Sequence, residues 1–311
     1  MASSICQAEV VIGLDSFLCY TDGGVGKPAP GVRALPQAQA LEADIHVLHS
    51  HIPNGAKGKK IVIPHGTPEH CFQLSSDGIK TNYAAGDSWG LVNYWIQRAD
   101  IVCSFWPRHA DIYRTFAPKQ NIKVIPMGVD KEFWAGGESR GKWAGSPSVF
   151  NAENGHSIKW PLDVFLAWPF VADSMPDAIL HAHYLPFDMH RFWYPLLYLN
   201  GTAYKSFTSG NFISQGDLRN AFKSSDFYLS PVRYGDYNTI CLEAKAAGSK
   251  VISYRGNVYA DYWITEGDQR EMAHSLIEIF KGNVSPRQTD TIPDILDTAK
   301  AMKGIYEDLC K

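Results

Sequence analysis

The sequence predicts an α/β protein of two domains, each built on a parallel, doubly wound sheet. Three observations carry that expectation. The chain has 311 residues, 45% hydrophobic and 20% charged, which is apolar material enough for two ordinary cores. Short β-branched runs alternate with stretches of helical spacing, the pattern of βαβ units. Near the middle, "AGGESRGKWAGSPS" at 135–148 interrupts the alternation with Gly, Ser and charge, and reads as a linker.

Within the first 130 residues the strand candidates are "AEVVIGL", "ADIHVLHSH", "KKIVIPH", "ADIVCSF" and "NIKVIPMG". Several end in polar or Gly-containing loops, "HSHIPNG", "HGTPEH" and "SFWPRH", at the carboxyl ends where open α/β sheets bind ligands. The second half restarts with "SVFNAE", a helix over "PLDVFLAWPFV", "AILHAHYL", "YKSFTS", a helix at "QGDLRNAFKSS", "FYLSPV", a short helix, "KVISY" and a helix over "REMAHSLIEIFKG". The expected domains are 1–135 and 136–290. Residues 291–311 form a terminal helix packing back toward the N-terminal domain, with Ile295, Ala299, Met302, Ile305 and Leu309 at helical spacing.

A formal net charge of −3 gives no global positive field. A nucleic-acid or anionic-lipid partner would need a local patch, for which "NGAKGKK" at 54–60 is the one candidate, against a plain solvated loop. The six cysteines, Cys6, Cys19, Cys71, Cys103, Cys241 and Cys310, show no Cys-x-x-Cys spacing and fit reduced thiols in a cytoplasmic compartment. The N-terminus has no basic region and only a short apolar run, so neither signal peptide nor membrane span is expected, and the protein should be soluble.

The most informative stretch is "SPVRYGDYNTICLEAKAAGSKVISY" at 230–254, a strand end, a loop, a helix and another strand. Asn238 is a favoured N-cap and Gly248 stands where a left-handed C′ residue belongs, so the helix is nine or ten residues long. The loop "RYGDYN" offers a glycine for close backbone approach, and the amides of Asn238, Thr239 and Ile240 form an anion pocket reinforced by the helix dipole. Glu243 lies four residues after Thr239 on the same face. A carboxylate there can accept from two hydroxyls, and a ribose presents two. The bland alternative is an exposed helical glutamate after a plain connection.

Four segments together resemble the retaining GT-B glycosyltransferases of the large family four. They are "NIKVIPMGVDKEFW", "FNAENGHSIKWPLDVFLAW", "GNFISQGDLRNAFKSSDFYLSPVRYGDYNTICLEAKAAGSKVISYRGN", and the pair "ADIHVLHSHIP" with "KKIVIPHGTPEH". The likeness runs from about residue 44 to 282. It implies two Rossmann-like domains facing a central cleft, here with a reduced N-terminal domain, and transfer of a sugar from a nucleotide-diphosphate donor, a UDP-sugar for preference, to an acceptor hydroxyl.

Residue by residue, the resemblance implies that Glu243 holds the nucleotide ribose, Lys159 neutralises the donor diphosphate, and Tyr237, Asn238, Thr239 and Ile240 contact phosphate and sugar. His65 matches the histidine beside the transferred sugar. Gly235 occupies the position of a sugar-binding glutamate, with Asp236 the neighbouring carboxylate able to substitute. The arginine expected before Lys159 is replaced in the stretch of Glu153 and Asn154, leaving Arg233 or His156 to supply its charge. "DGGVGKP" at 22–28 resembles the glycine-rich loop near acceptor and phosphate, which assigns Gly24 to that side; it is not a Walker A loop, because Pro28 replaces the hydroxyl residue.

The family needs no divalent metal, and the chain has no acidic Asp-x-Asp motif. The pairs His49 with His51 and His181 with His183 lack a third ligand of fixed spacing, so no metal is expected. His49 is assigned to the acceptor side, and His181 and His183 to a strand end near the cleft. For Arg108, at another strand end with Ser104, a phosphate or acceptor contact stands against a surface salt bridge. Trp134 and Trp160 read as core. In such a transfer the leaving phosphate assists the acceptor's deprotonation. Competing functions are a GT-B sugar-nucleotide epimerase or phosphorylase and a non-catalytic nucleotide-sugar-binding protein. Small metabolites, glycans, proteins or a modified nucleic-acid base, DNA included, all remain open as acceptors.

Overall fold

A computed structural model describes residues 19–20, 45–49, 57–64, 68, 88–138, 141–152, 161–183, 207–210, 214–232 and 239–311. The chain divides into two compact units. One comprises Met1–Val129 with Pro293–Lys311, the other Asp130–Ile292.

In the first unit, strands β1 (Cys19–Tyr20), β2 (Ile45–His49), β3 (Lys59–Ile63), β4 (Ile101–Ser104) and β5 (Ile122–Val124) pair in chain order, all parallel. The strand expected in "AEVVIGL" lies outside the described residues. Helix α1 (Ser88–Ile96) and helix α2 (Pro107–Phe116) cover one face, closing a core of Val62, Val92, Ile96, Val102, Ala110 and Tyr113. β4 is buried at every position, as a central parallel strand covered on both faces must be. Pro107 starts α2, where its fixed φ suits a first helical turn and its missing N–H costs nothing. The sequence reads "SFWPRH" as a loop; in the structure Arg108 and His109 belong to that first turn.

The terminal helix α8 (Ile295–Cys310) belongs to this first unit. Asp294 and Asp297 form a capping box at its start. Thr298 Oγ1 donates to the Pro126 carbonyl (2.8 Å) and accepts from the Gly128 amide (2.8 Å), while Ile295 N–H donates to Val129 O (3.0 Å). The backbones are so close that a Cβ on Gly128 would lie 2.0 Å from Asp294 O.

The second unit opens with α3 (Lys131–Ala135), then β6 (Ser148–Asn151), α4 (Pro161–Ser174), β7 (Ile179–His183), β8 (Phe207–Gly210), α5 (Gln215–Ser224), β9 (Phe227–Ser230), α6 (Thr239–Ala246), β10 (Lys250–Tyr254), β11 (Tyr262–Ile264) and α7 (Gln269–Phe280). Its six parallel strands are ordered β11-β10-β9-β6-β7-β8, the doubly wound arrangement in which strand order reverses between the first and fourth strands. One face is a core of aliphatic and aromatic side chains from α4 and α7, including Val164, Phe165, Trp168, Met272 and Leu276 on Val149, Leu229 and Ile252. The other carries α3, α5 and α6, with ring contacts among Trp134, Phe150, Phe222 and Tyr228.

The Gly- and Ser-rich stretch at 135–148 is built into the second unit, and the division falls earlier, between Val129 and Asp130. Side chains from α5 hold it. Lys223 Nζ donates to the carbonyls of Ala135 (2.5 Å), Gly136 (2.7 Å) and Gly137 (2.9 Å), a cation placed on the orphan carbonyls at the end of α3. Arg219 donates to Phe133 O (3.0 Å) and lies over its ring. Farther on, the Trp143 amide donates to Ser224 O (2.9 Å) and Lys142 pairs with Asp226 (2.8 Å). These partners lie about eighty residues away, so composition alone presents the stretch as loose.

Candidate functional site

The reversal of strand order between β6 and β9 fixes the place to look. Loops leaving the carboxyl ends of these two strands lead to α4 on one face and α6 on the other, and the crevice between such loops is where doubly wound sheets bind ligands. β6 and β9 pair through Val149↔Phe227 and Phe150↔Tyr228. At the next level the buried Asn151 Nδ2 donates to Leu229 O (2.8 Å), a side chain taking the place of a ladder bond where the strands part. Asn151 and Ser230, both wholly buried, end the two strands.

Two helix N-termini therefore flank this point, and they differ in charge. α4 carries Asp163 in its first turn, buried to 2% exposure, so the positive end of its dipole already faces a carboxylate of its own. Tyr254, the last residue of β10, donates its hydroxyl to Asp163 Oδ2 at 2.5 Å. The bond joins the carboxyl end of β10 to the first turn of the helix that follows β6. α6 has no acid in its first turn, whereas α3, α5 and α7 have Glu132, Asp217 and Glu271. Its partial positive charge is left for a group from outside the helix.

Glu243 follows one turn into α6, on the face of Thr239. It is only partly exposed, and its carboxylate has no hydrogen bond or ion pair among the described residues. Burial pushes its pKa up to about 7 from 4.5, since a carboxylate removed from water without a donor favours its neutral form. A diol donating two hydrogen bonds would supply the missing donors. α6 is eight residues long, shorter than the sequence expectation, because the chain leaves the helix at Ala246. Gly248, at φ +91°, makes the left-handed turn, with Gly248 N–H to Lys245 O and Ser249 N–H to Ala244 O at 3.0 Å each.

Of the donor-side residues singled out from sequence, Thr239, Ile240 and Glu243 are thus together on the first turns of α6 at the switch point. Lys159, Arg233, Gly235, Asp236, Tyr237 and Asn238 lie outside the described residues, as do His65 and Gly24. His49 ends β2 at the carboxyl edge of the first sheet. Arg108 is exposed in the first turn of α2, after β4. Ser104 is engaged locally, its hydroxyl donating to Trp106 O (2.9 Å) and accepting from Trp106 N–H (3.2 Å).

His181 and His183 lie at the end of β7 and pack in an aromatic cluster. His181 Nε2–H donates to Ala144 O (2.9 Å), Trp143 stacks on the His183 ring at 5.7 Å, and burial lowers the His181 pKa. Trp134 is core, as read. Among the described residues no group of three or more His, Cys, Asp or Glu side chains is arranged to hold a metal ion, and no helix is long and apolar enough to cross a membrane. Cys103, Cys241 and Cys310 are in no disulfide, the first two buried and the third exposed; burial pushes Cys103 up to about 12.

The fold is the GT-B fold of two Rossmann-like units. No protein-family model matches the chain, and no curated protein matches it in sequence. Among solved structures it resembles sucrose-phosphate synthase from Thermosynechococcus elongatus, with a TM-score of 0.72 at 12% identity over 98% of this chain and 92% of that one. The pneumococcal O-GlcNAc transferase GtfA, in complex with UDP and GlcNAc, gives 0.65 at 11% identity over 86% of this chain. The E. coli trehalose-6-phosphate structure bound with UDP-2-fluoro glucose gives 0.61 at 13% identity, covering 85% and 72%. The chain spans 57% of the length of the pneumococcal transferase.

Proposed function

We propose that this protein is a retaining glycosyltransferase that moves a sugar from a nucleotide-diphosphate donor, a UDP-sugar for preference, to an acceptor hydroxyl without a divalent metal. One observation carries the proposal. At the single reversal of strand order among the described strands, α6 starts without an acid of its own and presents, one turn in, a carboxylate, Glu243, that has no hydrogen bond among the described residues. Glu243 accepts from the ribose hydroxyls, and the α6 amides and dipole take the diphosphate, with Lys159 as its cation. Two of the three structural neighbours named above were solved with UDP or a UDP-sugar, which favours uridine as the base.

In glycosyl transfer, negative charge grows on the leaving diphosphate while the sugar becomes oxocarbenium-like. Donors fixed before the reaction at α6 stabilise that charge with no reorganisation at the moment of bond breaking. The leaving phosphate oxygen then accepts the acceptor's proton, so the chain supplies no general base. His65, with Asp236 in place of the carboxylate lacking at Gly235, holds the transferred sugar. Gly24, His49 and Arg108 belong to the acceptor side.

The test is incubation with UDP-glucose, UDP-GlcNAc and their GDP and ADP counterparts without acceptor, followed by detection of released diphosphate. Slow hydrolysis by the wild type, lost in Glu243→Ala while the variant still unfolds cooperatively, is the expected result. Full hydrolysis by Glu243→Ala would overturn the site. Tight binding of a nucleotide sugar with no turnover would favour a non-catalytic binding protein, and rearrangement of the donor an epimerase.

A further inference from the structure

Arg255 is the residue after β10, at the carboxyl edge of the second sheet and exposed. Seven arginines are described. Arg98 donates to Tyr94 O and covers its ring, Arg114 pairs with Asp111, Arg219 holds Phe133, Arg270 covers Phe170, Arg287 lies over Trp263 at 3.3 Å, and Arg108 is also engaged. Arg255 alone among them has no hydrogen bond, ion pair or ring contact among the described residues. A guanidinium with five donors and no partner is suited to one from outside the chain.

Its backbone, in contrast, is held on both sides. Tyr254 before it is tied to Asp163 by the 2.5 Å bond. Gly256 turns the chain at φ +107°, and Asn257 is buried to 2% exposure, its Oδ1 accepting from Tyr259 N–H (3.1 Å) and its carbonyl from Trp263 Nε1–H (3.0 Å). A cation on a fixed backbone keeps its place while its head remains available, which lowers the ordering cost of binding.

The register says what it is near. Ser253 of β10 is opposite Ser230 of β9. Arg255 follows two residues after Ser253, just past the end of β10, and Ser230 ends β9, whose chain goes on to α6. We infer that Arg255 binds an oxyanion of the nucleotide donor's diphosphate from the β10 side, supplying the second cation that the Lys159 region lacks. The inference rests on the donor reading above. Geometry favours diphosphate over a group on the acceptor because the position is on the donor sheet, one strand from the switch point.

The experiment is calorimetric titration of wild type, Arg255→Ala and Arg255→Lys with UDP and uridine, and with the GDP/guanosine and ADP/adenosine pairs. Loss of a charge-assisted contact predicts roughly 10- to 100-fold weaker diphosphate binding by Arg255→Ala. Affinity for the matching nucleoside should stay within about twofold, and Arg255→Lys should recover part of the loss. Because the side chain is exposed and has no partner, the variant's melting temperature should be unchanged. Equal diphosphate affinity in wild type and Arg255→Ala overturns this inference alone, as does an equal loss for nucleoside and diphosphate. Wild type binding none of the three diphosphates overturns the donor reading and this inference with it.

Discussion

Replacing Glu243 by glutamine should make the second unit more stable at pH 8 while abolishing nucleotide binding. The carboxyl is pushed up to about 7 by burial, from 4.5. A carboxyl whose pKa rises on folding binds its proton more tightly in the native chain than in the unfolded one. Stability is therefore highest below about 4.5 and falls as pH rises toward 7, above which the whole penalty is present. The shift corresponds to at most about 3 kcal/mol; partial exposure admits solvent screening and brings the expected gain for Glu243→Gln to about 1–3 kcal/mol. For a unit of this size each kcal/mol moves the midpoint by about 2–4 °C. Thermal unfolding of wild type and variant between pH 4 and 9 should give curves that coincide near pH 4 and separate by several degrees at pH 8. A variant that is no more stable than wild type at pH 8, or a gap independent of pH, would refute a desolvated, donor-less carboxylate. Stabilisation with loss of binding is the pattern of a residue kept for a ligand at a cost to the fold.

Two further substitutions probe the frame around the site. Tyr254→Phe leaves the buried Asp163 carboxylate without its phenolic donor and should cost about 1–3 kcal/mol in urea unfolding of the second unit; an unchanged midpoint would show that the bond contributes nothing net. Gly128→Ala places a methyl 2.0 Å from Asp294 O, so backbone must shift, and about 1–3 kcal/mol of destabilisation is expected. Faster amide exchange along α8 would report it, and exchange equal to wild type would mean that the two segments separate freely.

Much of the fold is legible because it rests on local patterns. Parallel strands buried on both faces appear as short β-branched runs, and β2 through β10 fall within the runs read from sequence, save that β8 extends one residue past its run to Gly210. Gly248 announces the end of α6 because a left-handed residue is needed there. The sequence pattern does not announce helices α1 and α2. "WPRH" looks like a loop because Pro and a polar pair are turn signals, yet Pro is equally at home at a helix start, and the choice is made by burial of His109, Ala110 and Tyr113 against the first core. The stretch at 135–148 failed as a linker for the converse reason. Its Gly and Ser content is real, but Lys223, Arg219 and Asp226 fix it from positions far along the chain.

The site divides along the same line. Glu243 could be singled out because its role depends on a spacing of four within one helix and on the loop just before it. Asp163 could have been noticed only as an acid near a helix start, which is the ordinary place for one; what gives it meaning is Tyr254, 91 positions away. A charge inside its own helix is readable, and a charge satisfied across a sheet is not. The same reasoning applies with opposite sign to Arg255. Its significance lies in being the one described arginine that no other described residue engages, and that can be seen only after the other described arginines have been placed. If binding depends on it as inferred, the positive field at this sheet edge comes from two strands, β9 through the α6 amides and β10 through Arg255, and the diphosphate is held by convergence of elements that the sequence presents as unrelated.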